Sequence, residues 1–352
     1  MAEAEAAAIR APGLRPAWIA AGLVAVAAAG IVGLSFGAVA ISPPRVFLEV
    51  LDHVPGLHVH SGLSRREADI VWQLRVPRVV LGFLVGAMLA VSGASFQGVF
   101  RNPLADSYLL GAAAGAGLGA TIAIGGHLDW TLGPFDTVPL AAFAGTLLAI
   151  ALAYAASSIG GRDSSPAVLL LAGIAVMTFL TAIQTFLLQR QADTIREVYT
   201  FILGRLVTAG WTEVQLALPY AVVSLGLLVV LRRRLDVLAV GDDEAASLGM
   251  DVRRTRTAII VLSSLATAAA VSVSGLIGFV GLVVPHIVRL LAGSSYRIVV
   301  PLSLLFGAGY LVLADLVART AMAPAEIPIG VVTAFFGAPF FVLVLRLRGR
   351  AA

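Results

Sequence analysis

The chain has 352 residues, of which 59% are hydrophobic and 12% are charged, and its formal net charge is +4. A soluble globular domain carries about 25% charged residues, so this composition excludes a water-facing surface over most of the chain. The mean hydropathy of +0.96 instead indicates a membrane protein. The small net charge gives no reason to expect nucleic acid as a partner.

Two residue types are missing from the sequence. There is no cysteine, which excludes a disulfide framework, thiol chemistry and a cysteine metal site. All 24 basic residues are arginine, and a Walker A phosphate loop needs a lysine on the phosphates. If ATP drives this protein, another chain must therefore hydrolyse it. We expect no catalytic residue and no cofactor in this chain.

Ten apolar segments approach the roughly 20 residues that a membrane-spanning helix needs. In chain order they cover residues 17–41, 79–97, 109–124, 138–157, 167–188, 214–231, 257–274, 276–291, 299–318 and 330–345. The third is rich in glycine, which lets membrane helices approach closely. The sequence predicts an all-α polytopic membrane protein in which residues 1–352 form one transmembrane domain of ten helices.

Arginine positions predict the orientation, because basic residues accumulate in short cytoplasmic loops. With the N-terminus inside, 15 arginines fall on the cytoplasmic side and 9 outside. Five of the 9 lie in the long segment 42–78, to which the rule applies weakly. We therefore predict that both tails, residues 1–16 and 346–352, are cytoplasmic.

The most highly charged stretch covers residues 232–256 and holds six Arg, four Asp and one Glu. It lies between two predicted spans, and we expect a cytoplasmic loop. Within it, Asp242 or Asp243 would cap a two-turn helix with Glu244 in its first turn, and Gly249 would end it. Three residues would form its apolar face: Ala245, Ala246 and Leu248. The alternative is a solvated loop beside a basic cluster at the membrane edge.

Three further features leave more than one interpretation open. His53, His58 and His60 lie in a polar loop, and without carboxylates or cysteines at ligand spacing we predict solvated histidines and no metal site. The fifth segment carries polar side chains that suit either interhelical hydrogen bonds or a water-lined path: Thr178, Thr181, Gln184 and Thr185. Finally, residues 91–103 echo residues 273–285, as an inverted repeat or chance would produce.

Several motifs resemble the FecCD-type permeases of ABC importers, the BtuC-like membrane subunits for iron-siderophore, haem and cobalamin uptake. The first two groups are WQLRVPR at 72–78, and SG at 92–93 followed by FQ at 96–97 and NPLA at 102–105. The later motifs are GDDEAASLG at 241–249, VSGLIGFVGLVVPHIVR at 273–289, ADLVAR at 314–319, EIPIGVVT at 326–333 and GAP at 337–339. The resemblance runs from about residue 15 to the tail in the family's order. Together these motifs are highly specific.

The resemblance implies a type II ABC importer permease fold in the cytoplasmic membrane of a bacterium. The permease would be a homodimer with its pathway on the dimer axis. Two ATP-binding cassette subunits, which carry ATP and Mg, would dock beneath it. A periplasmic or lipid-anchored substrate-binding protein would dock outside. The implied cargo is an iron chelate, with ferric siderophore preferred to haem or cobalamin.

The resemblance also assigns roles by position. The helix that couples to the ATPase would comprise Asp243, Glu244, Ala245, Ala246, Ser247, Leu248 and Gly249. The arginines that meet the binding protein would be Arg75, Arg78 and Arg319, all on the predicted external side. Without the resemblance, Arg75 and Arg78 would be interfacial anchors, and Arg319 would pair with Asp315 at i,i+4.

The gate and pathway residues follow in the same way. The gate would include Asn102 and Leu104, and at its second part Ser164 and Ser165. The small polar pair expected there falls on Pro166 and Ala167 instead, which disfavours a cobalamin-type constriction. The remaining pathway residues would be Thr178, Gln184, Thr333 and Phe336.

Two other function classes fit the sequence less well. An ion-coupled secondary transporter needs ionisable groups near the middle of the membrane, and among acidic and histidine residues only Asp315 and His286 lie within predicted spans. An intramembrane enzyme needs a motif such as HExxH, and the sequence has none.

Overall fold

The computed structural model describes residues 14–37, 39, 41–54, 59–128, 131, 136–158, 166–190, 192–206 and 210–349. The regular secondary structure in this part of the chain is all helical, without a β-strand. The helices are α1 (Pro16–Ser35), α2 (Pro43–Asp52), α3 (Arg65–Asp69), α4 (Val76–Val99), α5 (Ala112–Gly125), α6 (Thr137–Ser158), α7 (Pro166–Arg190), α8 (Ile195–Ile202), α9 (Trp211–Val240), α10 (Asp242–Ser247), α11 (Val252–Ser274), α12 (Val280–Ala292), α13 (Tyr296–Thr320) and α14 (Ile329–Gly349). A π-helical turn, Ile70–Arg75, joins α3 to α4.

Seven of the described helical rods are long and apolar enough to cross a membrane. They are α1, the continuous rod Arg65–Val99, α6, α7, α9, α11 and α13. Three shorter apolar helices, α5, α12 and α14, occupy the predicted third, eighth and tenth spans. The all-α prediction is confirmed. The count of ten spans stays a prediction, since it depends on these three shorter helices.

The two shortest of these helices begin inside the bundle, which explains their length. The segment before α5 ends at Gly111 in a left-handed conformation, and the segment before α12 ends at Phe279 in another. These non-helical segments contact each other, because the Tyr108 hydroxyl donates to the Ile277 carbonyl at 3.1 Å and accepts from its amide at 3.0 Å. Irregular backbone at membrane depth requires such partners within the protein.

Helix α4 is the centre of the bundle and is almost entirely buried, packed against α9, α11, α12 and α13. Glycines make this close packing feasible. A Cβ at Gly86 would collide with the carbonyl oxygen of Gly307, and one at Gly93 with that of Gly281. Small residues permit such backbone contact in membranes. Gly93 and Gly281 belong to the two echoing segments, which therefore touch.

The stretch 232–256 is not the single loop that its charge predicted. Residues 232–240 continue α9, residues 252–256 begin α11, and the connection is confined to 241–251. The helix persists because Leu235 and Leu238 extend its buried stripe. The predicted tail at 346–352 is likewise helical as far as Gly349.

The contacts between helix ends agree with spans that alternate in direction across the membrane. At one end, the Arg205 amide donates to the Ser274 carbonyl at 2.8 Å. At the other, the Ser295 hydroxyl donates to Asp236 at 2.8 Å. We call these the outer end and the inner end, after the predicted orientation. Which end faces the cytoplasm stays a prediction.

Candidate functional site

The predicted two-turn helix exists as α10, at the inner end between α9 and α11. Its cap differs from the prediction: Gly241, at φ 154°, is the N-cap residue, and Asp242 and Asp243 lie in the first turn with Glu244. Gly249, at φ 81°, follows the helix as expected. Both φ values are in the region that favours glycine.

The predicted apolar face of α10 is split between the inside and the surface. Ala245 is completely buried, whereas Ala246 is exposed and Leu248 is 71% exposed. Beside them is a cleft of about 570 Å³, lined among others by Leu248, Met250 and Arg254. Ala245 therefore anchors the helix, and Ala246 and Leu248 are presented outward.

Asp242 joins α10 to two other segments. Its Oδ1 atom lies 2.6 Å from Nη2 of Arg256, on α11, and 3.4 Å from Nη2 of Arg101, in the loop after α4. The hydrogen bond from Arg256 lowers the pKa of the Asp242 carboxyl below its usual range. A single ionised carboxylate thus contacts the start of α11 and the loop between α4 and α5. The sequence pattern predicted only a capping role for Asp242.

The predicted gate residues Asn102 and Leu104 lie in that loop. Arg101 is left-handed at φ 49°, and the Asn102 side chain accepts a hydrogen bond from the Leu104 amide at 2.9 Å. Leu104 is 49% exposed. Asn102 therefore stabilises a tight turn that presents Leu104 at the inner end. Ser164 and Ser165 lie outside the described residues, as does His58.

Polar contacts continue from this loop into the bundle. The sequence did not predict them. Gln97 donates to the Gly281 carbonyl at 3.0 Å and accepts from Arg289 at 2.5 Å. The Asp106 side chain lies beside Gly281, so that a Cβ there would be 2.9 Å from Oδ1. The only sequence signal was that these polar residues adjoin the glycine-rich motifs.

At the outer end, the three arginines predicted to meet a binding protein are packed inside the chain. Arg78 lies 2.8 Å from Asp315 and 2.8 Å from Glu326, and its side chain is 12% exposed. Arg319 is buried, 3.5 Å from Asp315 and hydrogen-bonded to the Gly33 carbonyl. The predicted i,i+4 pair between Asp315 and Arg319 is present, although Arg78 lies closer to Asp315 than Arg319 does.

Arg75 has a different set of partners. It is buried and donates to the carbonyls of Leu34, at 2.6 Å, Ser35, at 2.9 Å, and Val39. The first two belong to the last turn of α1, where a cation is favourable and the carbonyls lack helical partners. All three arginines are thus held by groups of the same subunit. Their docking role itself stays a prediction.

The predicted pathway residues divide into two groups. Thr178, on α7, and Phe336, on α14, are exposed. Gln184 is buried and donates to the Thr121 hydroxyl at 3.2 Å, and Thr333 is completely buried. For Gln184 the structure favours interhelical hydrogen bonding over a water-lined path. The pathway role of all four residues stays a prediction.

The described histidines of the outer loop have ordinary contacts. The His53 ring lies 4.0 Å from the Trp72 ring, and its Nδ1 atom is 3.0 Å from the Glu49 carbonyl. His60 is exposed. Within the described ranges, no three His, Asp or Glu side chains form a group that could hold a metal ion.

A family model described as the FecCD transport family matches residues 24–347. The chain belongs to this family. It is 44% identical over 288 residues to the cobalamin import system permease protein BtuC of Halobacterium salinarum, covering 82% of this chain and 76% of that protein. It is 38% identical over 304 residues to the Fe(3+)-citrate import system permease protein YfmD of Bacillus subtilis, covering 86% and 88%.

The FecCD fold is also found in a solved structure. An ABC transporter described as of metal-chelate type, in an inward-facing conformation, matches with a TM-score of 0.82 and 28% identity. The match covers 94% of this chain and all of that one. The likeness extends over nearly the whole chain, so this chain shares the fold of that transporter.

Proposed function

We propose that this FecCD chain is the permease subunit of an ABC importer that moves a metal chelate into the cytoplasm, with ferric siderophore as its cargo. The observation that carries the proposal is α10, a short helix fixed between two long helices through Ala245 with Ala246 and Leu248 directed outward. A rigid apolar projection at one end of a membrane bundle suits contact with a soluble partner.

The proposed partner at α10 is an ATP-binding cassette subunit, with two copies per transporter. The sequence contains no lysine, so the phosphate loop and its Mg ion belong to that subunit. We place the α10 end and both termini in the cytoplasm, in agreement with the arginine distribution. Movement of the ATPase would then reach the membrane through α10.

We also propose a homodimer, in which α7 and α14 face the dimer axis. Both helices present large side chains outside the subunit: Phe179 is 63% exposed, Phe335 72% and Phe336 54%. These surfaces suit a second copy and a pathway between copies. The exposed Thr178 lies on the same helix as Phe179.

A binding protein is the proposed partner at the outer end. The burial of Arg75, Arg78 and Arg319 supports a role in shaping the docking surface more than direct contact with acidic side chains. The exposed arginines at this end include Arg45, Arg65 and Arg66. We propose that these make the first electrostatic contacts, with Arg78 at the margin of the same surface.

Cobalamin is the second candidate cargo, favoured by the 44% identity to a cobalamin import permease. Haem is a third chelate of the same transporter class. An ion-coupled secondary transporter is less well supported, since the buried Asp315 is already engaged by Arg78 and Arg319.

Uptake by the reconstituted complex tests the proposal. The chain would be co-expressed with candidate ATPase and binding-protein partners and placed in proteoliposomes. Labelled ferric siderophore, haem and cobalamin would be supplied with the binding protein. We expect accumulation of one chelate that requires ATP on the side of the ATPase. Uptake driven by an ion gradient without ATP would overturn the importer assignment.

A further inference from the structure

Asp242 is the one described side chain of α10 that forms ion pairs with two other segments. Arg256 approaches the Oδ1 atom at 2.6 Å from the first turns of α11, and Arg101 approaches it at 3.4 Å from the loop after α4. Neighbouring Asp243 is exposed and has no such contact among the described residues. Two adjacent aspartates on one helix therefore have different surroundings.

The segment on the Arg101 side continues into the centre of the bundle. Arg101 precedes the turn that Asn102 stabilises and that presents Leu104. A few residues later, Tyr108 exchanges two hydrogen bonds with Ile277, in the non-helical segment before α12. The loop thus connects the carboxylate of Asp242 at the surface with the irregular backbone inside the bundle.

We propose that Asp242 is the positioning residue through which displacement of α10 moves the loop 101–108, and so controls opening of the inner end. The inference rests on the proposed function, because it takes α10 to be driven by an ATPase. Arg256 holds the carboxylate against α11, and Arg101 transfers its movement to the loop. An ionised carboxylate attracts both guanidiniums through its charge, whereas a neutral amide could offer each of them only a weaker, uncharged hydrogen bond.

The ion pair between Asp242 and Arg101 is suited to transmitting movement more than to stabilising the fold. The side chains of Asp242 and Arg101 are each 38% exposed. Ion pairs exposed to this degree add little to stability. Removing the charge should therefore leave the folded subunit and its surface for the ATPase intact, while weakening the connection to the loop.

The test compares three variants in the complete complex: Asp242→Asn, Asp242→Glu and Arg101→Gln. We expect Asp242→Asn and Arg101→Gln to lower the number of cargo molecules transported per ATP by at least about fivefold, within the usual range of coupling between sites. Thermal stability should fall only slightly, and ATPase binding should not change. Asp242→Glu should restore transport.

A second measurement needs no cargo. Because the chain has no cysteine, Leu104→Cys can carry a single spin label in every variant. We expect ATP to change the label's mobility in the wild-type complex and in Asp242→Glu, but not in Asp242→Asn. An ATP response in Asp242→Asn equal to that of the wild type would overturn the inference. Loss of ATPase binding in that variant would also overturn it, since Asp242 would then belong to the docking surface.

The two proposals fail in different ways. If the wild-type complex moves none of the three chelates, the proposed cargo is wrong, while the spin-label experiment still decides the role of Asp242. If the wild type transports and Asp242→Asn transports equally well per ATP, only the role of Asp242 is wrong.

Discussion

Arg78 and Asp315 are separated by 237 positions in the sequence, and their side chains meet in a paired interaction in which Nη2 lies 2.8 Å from Oδ1. Glu326 binds the same guanidinium, and Arg319 lies on the other side of Asp315. This cluster ties α4 to α13 and to the segment before α14. Arg75, beside it, contacts carbonyls at the end of α1, where the helix dipole is negative.

Asp315→Asn should strongly destabilise the subunit, because Arg78 and Arg319 would lose their shared buried carboxylate. Breaking a buried ion pair in this way typically costs about 3–5 kcal/mol. Thermal unfolding of the purified protein in detergent measures the effect. Glu326→Gln is the matched control: this carboxylate is 33% exposed, and we expect a loss of at most about 1 kcal/mol. Equal losses in the two variants would contradict the central position of Asp315.

Ala246→Arg should prevent the ATPase subunit from binding while leaving the fold unchanged, because Ala246 is exposed on α10. Co-purification with the ATPase subunit, together with the unfolding temperature of the variant, provides the measurement. Ala245→Arg is the contrasting variant. It places a charge at a fully buried position and should lower the unfolding temperature itself. If Ala246→Arg still binds and transports normally, α10 is not the coupling helix.

Gly93→Ala should destabilise the bundle by about 1–3 kcal/mol, since overpacking forces neighbouring groups apart. The added methyl would collide with the Gly281 carbonyl between α4 and α12. Gly226→Ala, within α9, is the control, as nothing lies within 4 Å of the added Cβ. There, alanine's higher helix propensity should be neutral or favourable by up to about 1 kcal/mol. Similar effects at both positions would disprove the close approach of α4 and α12.

The ion pairs that Asp242 forms with Arg101 and Arg256 should be insensitive to pH over the physiological range. The hydrogen bond from Arg256 places the folded-state pKa of Asp242 below its ordinary value of 3.8. A lowered folded-state pKa gives a contribution that is present above the unfolded pKa and is lost as pH falls through the folded one. The stability difference between wild type and Asp242→Asn should thus stay constant from about pH 8 to about pH 5 and shrink below about pH 4. A difference that disappears between pH 7 and pH 5 would contradict this arrangement.

The local pattern of apolar residues predicted where most helices lie but not the residues at which they end. The apolar segment 214–231 predicted a helix that continues in fact to Val240, because Leu235 and Leu238 remain buried beyond three arginines. Charge density suggested a loop there, and packing against neighbouring helices outweighed it. Aspartate propensity likewise suggested a cap at 242 or 243, whereas Gly241 adopts the required backbone conformation.

The partners of polar side chains were the least predictable feature. Arg78 is external in the sequence topology, and only the approach of α13 and Glu326 shows that it is already paired. The sequence position of Gln184 suited an interhelical hydrogen bond and a water-lined path equally. In the structure α5 lies beside it, and Thr121 is within hydrogen-bond distance. Sequence spacing along a single helix carries no information on such a neighbour.

The sequence by itself determined that this protein is an all-helical membrane protein, that it lacks the lysine of an ATP-binding loop, and that a short helix followed by a glycine lies between two long apolar spans. These properties follow from composition and local periodicity. Only the tertiary structure decided which face of α10 is outward, that Asp242 reaches Arg101 and Arg256, and that the outer arginines are buried. Those facts depend on contacts between segments far apart in the chain, which form only when the helices pack together.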